Sequence, residues 1–117
     1  MAQFTHLPLY TKTFEFIKHL YRIVKQFPKE YKFTIGEEII KMIWQISDDI
    51  ALANLLATDD RRKKLAQISL HFDLLKIRLR MAHEIGLINR EKFSSVQIEA
   101  AEIGKMIGGW QKWAEGE

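Results

Sequence analysis

The 117 residues, 47% of them apolar, suit one domain over 1–117, and the absence of cysteine excludes disulfides, thiolate metal sites and a cysteine nucleophile. The formal charge of +3 is unevenly spread: residues 1–35 hold six Lys and Arg against two acids, 36–60 one against six, 61–90 eight against two, and 91–117 three against five. Such a field can steer a polyanion or complement an acidic protein surface.

Residues 1–6 show neither a basic stretch nor an apolar leader core, and no run approaches the roughly 20 apolar residues of a membrane span. With the missing cysteines, this gives the expectation of a soluble, cytoplasmic protein with no membrane partner. A first helix should begin near Pro8 and stop before Phe27-Pro28, since the residue before a proline is pushed out of the helical region. Its Tyr10, Phe14, Ile17, Tyr21 and Val24 repeat at 4-3-4-3 spacing, as a bundle seam requires. Residues 27–33 read as a loop with aromatics packed over one end of the bundle. Thr34 and Glu37 then predict a capping box, hydroxyl to amide and carboxylate back to amide.

The second helix is expected to run to about Ala57, with Ile39, Ile43, Ile46, Ile50 and Ala53 on its seam. Thr58 or Asp59 is placed to cap the third, whose seam is Leu65, Ile68, Phe72, Leu75, Leu79 and Ala82. Gly86 follows as a left-handed stop, and Asn89 is placed to cap the fourth helix. That helix has Phe93, Val96, Ala100, Ile103, Ile107 and Trp110 on its seam. Gly108 and Gly109 inside it cost roughly 1 kcal/mol each against alanine. Connections this short make consecutive helices antiparallel neighbours. The fold class is therefore all-α, an antiparallel up-down-up-down four-helix bundle.

The helices carry more apolar surface than one stripe each. The third has a second row of Leu70, Leu74, Ile77, Met81 and Ile85, directed roughly 140° from its seam. The first repeats this with Phe16, Leu20, Ile23 and Phe27, and the second with Ile40, Trp44, Leu52, Leu55 and Leu56. Small bundles can have wide core faces, but such rows left exposed form a patch that soluble monomers avoid. The favoured reading is a homo-oligomer burying Phe16, Leu20, Ile23, Trp44, Leu70, Leu74, Ile77 and Met81 between subunits.

Basic residues fall in three groups. Lys18, Arg22 and Lys25 share one face of the first helix, followed by Lys29 and Lys32. Arg61, Arg62, Lys63 and Lys64 open the third helix, where the dipole disfavours cations, so another use is expected of them. Lys76 and Arg80 lie near one direction with Arg62, and Arg78 lies elsewhere beside His71 and Lys64. Phosphate contacts with counterion release would be one use; pairing with Asp48, Asp49, Asp59 and Asp60 would be another.

Catalytic constellations are missing. His6, His19, His71 and His83 form no compact ligand pair, and no Glu-x-x-His occurs. Glu99 and Glu102 lie off the seam without a histidine partner, and the glycines form no phosphate loop. No nucleophile, base and orienting group fall together, so neither an enzyme nor a cofactor or metal is expected.

Several stretches in order resemble the accessory variability determinant (Avd) of diversity-generating retroelements and its wider four-helix-bundle family. That family includes proteins encoded in bacterial rRNA intervening sequences. The stretches are Leu7-Pro8-Leu9-Tyr10-Thr11-Lys12-Thr13, Phe27-Pro28-Lys29 with Phe33-Thr34-Ile35-Gly36, Leu79-Arg80-Met81-Ala82-His83-Glu84-Ile85-Gly86-Leu87-Ile88, and Glu102-Ile103-Gly104-Lys105-Met106-Ile107-Gly108-Gly109-Trp110. The Gly108-Gly109-Trp110 ending favours the Avd side. The resemblance implies a barrel-like homopentamer with a basic surface, associated with a reverse transcriptase and with RNA or DNA, supporting mutagenic retrohoming. By position it carries over Arg80; Lys76, Arg78 and residues 61–64 are additions from charge alone. The charge of +3 departs from the more strongly basic members of the family. The rival reading is a stand-alone bundle of the intervening-sequence type, structural or RNA-binding.

Overall fold

Residues 7–116 are described by the computed structural model; His6, considered above as a ligand, lies outside them. Among the described residues there are four long helices, α1 (Leu7–Lys25), α2 (Glu37–Leu55), α3 (Thr58–Glu84) and α4 (Arg90–Glu115), and no strand. They pack as a ring, α1 on α2, α2 on α3, α3 on α4 and α4 on α1. At about 1.5 Å per residue α3 alone covers about 40 Å, most of the 49 Å long axis.

The seams of α2 and α3 are buried as expected. Ile39, Ile43, Ile46, Ile50 and Ala53 face Leu65, Ile68, Phe72, Leu75, Leu79 and Ala82 across the core. On α4, Val96, Ala100, Ile103, Ile107 and Trp110 are buried and Phe93 is half-buried against them.

The core takes members of both α1 rows. Phe16, Leu20 and Ile23, expected between subunits, are 0%, 0% and 4% exposed inside the protomer's own core, together with Phe27. Phe14 and Tyr21, expected on the seam, are 49% and 48% exposed. Ile17 and Val24 remain buried and Tyr10 packs half-buried at the edge. The spacing defines both rows equally well. What decides is that the ring of Phe16 meets Phe72 of α3, centroids 6.2 Å apart, and turns that row inward.

The entry to α2 also departs from expectation. Residues 29–31 are already helical, and Lys32–Gly36 form a π-helical turn that runs directly into α2. Thr34 therefore makes no capping box; its hydroxyl donates back to the Glu30 carbonyl at 2.9 Å. Gly36 is buried where a Cβ would fall 2.8 Å from Val24 Cγ1 and 3.2 Å from the Tyr31 carbonyl. Glycine is what lets the wide turn press against α1.

At the start of α3 neither Thr58 nor Asp59 caps; Ala57 holds that position without a side-chain bond. Its far end is as expected. Gly86 has φ +88°, Leu87 N–H donates to the Ala82 carbonyl and Gly86 N–H to that of His83, a Schellman stop. Asn89 caps α4, its Oδ1 accepting from the Lys92 amide at 2.8 Å. His83 secures this corner, Nδ1 donating to the Ile88 carbonyl and the ring stacked on Phe93 at 4.3 Å.

Candidate functional site

The basic groups do not converge on one patch, because α1 and α3 are not neighbours in the ring. Their side chains differ in freedom as well as in place.

The cluster opening α3 is largely structural. Arg61 donates from Nε to the Ala53 carbonyl at 3.1 Å and from an η nitrogen to that of Leu56 at 2.9 Å, closing the C-terminus of α2. Its guanidinium also lies over the Trp113 ring, 5.8 Å from the centroid. Arg62 donates to the Ala114 carbonyl at the C-terminus of α4 and pairs with Asp59. Both cations thus sit at the negative ends of neighbouring helix dipoles, which offsets their poor placement on α3 itself. Lys64 reaches the buried carboxylate of Asp49 at 3.8 Å, which Gln45 also bonds. Lys63 alone of the four is exposed with no ion pair among the described residues. The expectation that all four face a partner is corrected: Arg61, Arg62 and Lys64 hold the fold, as the acidic-pairing alternative suggested for the last two.

Lys76 and Arg80 lie on the flank of α3 that faces α4. They border a groove of about 410 Å³ with Ile77, Phe93, Gln97 and Ala101. Each pairs with an acid on its own helix, Lys76 with Asp73 and Arg80 with Glu84, and Lys76 Nζ also lies 5.7 Å from the centroid of the Phe72 ring. Arg78 lies on the opposite flank and bonds Glu38 of α2 at 3.2 Å. On α1, Lys18, Arg22 and Lys25 are exposed along the outer face. Lys18 binds Glu15 at 2.9 Å; that hydrogen bond and its charge hold the Glu15 carboxyl below its ordinary range, with Arg22 adding to the pull. Arg22 and Lys25, with Lys32, rim an apolar groove of about 510 Å³.

The second row of α3 is the main exposed apolar feature. Leu70, Leu74, Ile77, Met81 and Ile85 are between 39% and 59% exposed, on the side of the helix directed away from the core. Trp44, Leu52 and Leu55 of α2 are exposed too. Sequence reasoning missed Phe14, Tyr21 and Phe33 as surface aromatics. The first two were assigned to the seam, and Phe33 to packing over the bundle end, though it is 63% exposed.

With the fold and these surfaces in place, comparison with known families is decisive. A family model described as bAvd-like matches residues 8–114, all four helices. The chain belongs to the bAvd-like family. No curated protein matches it. The four helices of the bundle accord with an Avd-type architecture, and the stretch around Arg80 and the Gly108-Gly109-Trp110 ending both fall inside the matched span. Among the described residues no group of three His, Asp or Glu could hold a metal, and no helix is long and apolar enough to cross a membrane.

Proposed function

We propose that this protein is a cytoplasmic, non-catalytic Avd-type accessory factor, a single-domain bundle that assembles with its own copies and holds a retroelement reverse transcriptase and nucleic acid. In that role it supports mutagenic retrohoming. The observation that carries the reading is family membership over residues 8–114. An antiparallel up-down-up-down arrangement is supported by cross-helix pairs whose numbers run oppositely. Arg78 meets Glu38 and Lys64 meets Asp49 between α3 and α2; Arg62 meets Ala114 and His83 meets Phe93 between α3 and α4.

Self-assembly, as a barrel-like homopentamer, is supported by the outer ridge of α3. Five large apolar side chains on one exposed face need covering, and each protomer in a ring presents two different interfaces. Leu70, Leu74, Ile77 and Met81 remain candidates for that contact, whereas the buried residues of α1 do not, and Trp44 is engaged instead with Tyr21 on the α1–α2 face. The α1 cations and the Lys76–Arg80 flank carry charge suited to phosphate or to an acidic polymerase face.

Sedimentation of the intact chain tests assembly: Leu74→Asp with Ile77→Asp should reduce the mass to that of a protomer while the helical signal persists. A monomeric wild type at high concentration would overturn it. For the partner, co-purification with a retroelement reverse transcriptase is expected, and Lys76→Glu with Arg80→Glu should abolish it without altering oligomer mass. Nucleic-acid binding that falls steeply with added salt marks phosphate contacts, and a flat response points to a protein-only partner.

A further inference from the structure

We propose that the face shared by α1 and α2 binds a nucleic-acid single strand, with bases stacked on exposed aromatic rings and phosphates held by the α1 cations. The inference rests on the nucleic-acid reading above and assigns it a place and a strandedness.

Phe14 and Tyr21 are seven residues apart on α1, so they stand on one face about 10 Å from each other. The Tyr10 ring lies beside Phe14, centroids 6.4 Å apart. Tyr21 is held in place by Trp44 of α2, whose indole N–H donates to the phenol oxygen at 2.8 Å. Both rings nonetheless remain more than two-fifths exposed. Past Tyr21 the face opens into the groove of about 510 Å³ already described, with Val24, Gly36 and Ile40 along it and the exposed ring of Phe33 at its side. That volume is within the range of small-ligand sites, and its apolar lining suits a base.

Charge selects the occupant. Arg22, Lys25 and Lys32 line the groove against one acid, Glu37, which Lys41 already engages at 3.0 Å. Lys18 extends the basic line along α1, roughly parallel to the aromatic row. A ligand that pairs apolar flat groups with one negative charge per unit fits both features at once, and single strands have that character. A duplex does not, because its bases are already stacked and paired. The outer ridge of α3 provides the contrast: its exposed row is aliphatic, without rings on which a base could stack.

The test is fluorescence anisotropy of the full chain with a labelled oligouridylate, its deoxy counterpart, and an unlabelled duplex as competitor. Phe14→Ala and Phe33→Ala should each weaken single-strand binding roughly tenfold, leaving the salt dependence unchanged. Arg22→Gln and Lys25→Gln should each lessen the slope of log affinity against log salt by about 0.7. The duplex should compete poorly. Aromatic variants that bind like the wild type overturn the proposal, as does equal competition by the duplex. A changed sedimenting mass in those variants also overturns it, by making this face a subunit contact. If the wild type binds steeply with salt and only Lys76→Glu with Arg80→Glu abolishes binding, the nucleic-acid reading stands and this site falls. A wild type that binds no oligonucleotide removes both.

Discussion

The arginines that open α3 and the cations of α1 differ in what surrounds them rather than in sequence character. Both groups are dense, basic and helical. At the start of α3, the C-termini of α2 and α4 bring unpaired carbonyls within reach, and Arg61 and Arg62 close them. Arg22 and Lys25 sit in the last turn of their own helix, where its dipole favours them, and line an apolar groove rather than reaching the end of another helix. Charge density in a sequence therefore does not distinguish a cation that holds the fold from one available to a ligand. The carbonyls and carboxylates that tertiary structure delivers decide it.

The contrast predicts a ladder of effects. Arg61→Ala removes two charge-assisted bonds to carbonyls and the contact with Trp113. It should cost about 2–3 kcal/mol in urea unfolding while leaving oligonucleotide affinity intact. A variant as stable as the parent but weak in binding would dissolve the distinction. Gly36→Ala, at the α1-side groove, places a methyl against Val24 and the Tyr31 carbonyl and should cost about 1–3 kcal/mol through overpacking. An unchanged midpoint would show that the π-turn yields easily.

Gly86→Ala should cost about 1 kcal/mol, through the positive φ alone, since nothing lies within 4 Å of the added carbon. Arg22→Ala with Lys25→Ala should cost about 0.5–1 kcal/mol, the loss of two exposed cations from the C-terminal turn of α1. A large loss on thermal unfolding would place them with the α3 cluster. The smallest effect concerns pH. The hydrogen bond and charge of Glu102 raise the Lys12 pKa above its ordinary value. That link between α1 and α4 is complete below the unfolded lysine range and is lost as pH climbs through the folded value. Lys12→Met should remove this slight alkaline dependence and nothing else.

Much of the fold was legible because it depends on local rules. The 3-4 spacing on α2, α3 and α4 marked the buried seams, Pro28 bounded α1, and Gly86 and Asn89 stopped and started helices through their own backbone and side-chain chemistry. Where two rows met the same periodicity, as on α1, pattern could not choose between them. The packing of Phe16 on Phe72 turned one inward and left Phe14 and Tyr21 outside. The candidate site was less legible for the same reason. Twelve cations make up the basic groups of the sequence, yet Arg61, Arg62, Lys64 and Arg78 are engaged by groups on other helices, up to 52 residues away.

By itself, then, the sequence determined four amphipathic helices, their limits to within a few residues, and the family to which they belong. Each of these follows from interactions within a few turns of chain or from the order of short motifs. Tertiary structure alone decided which α1 side chains of the two rows are core, that a π-turn replaces the cap before α2, and which basic groups are engaged by other helices. Those outcomes depend on contacts between distant helices, and no spacing rule carries that information.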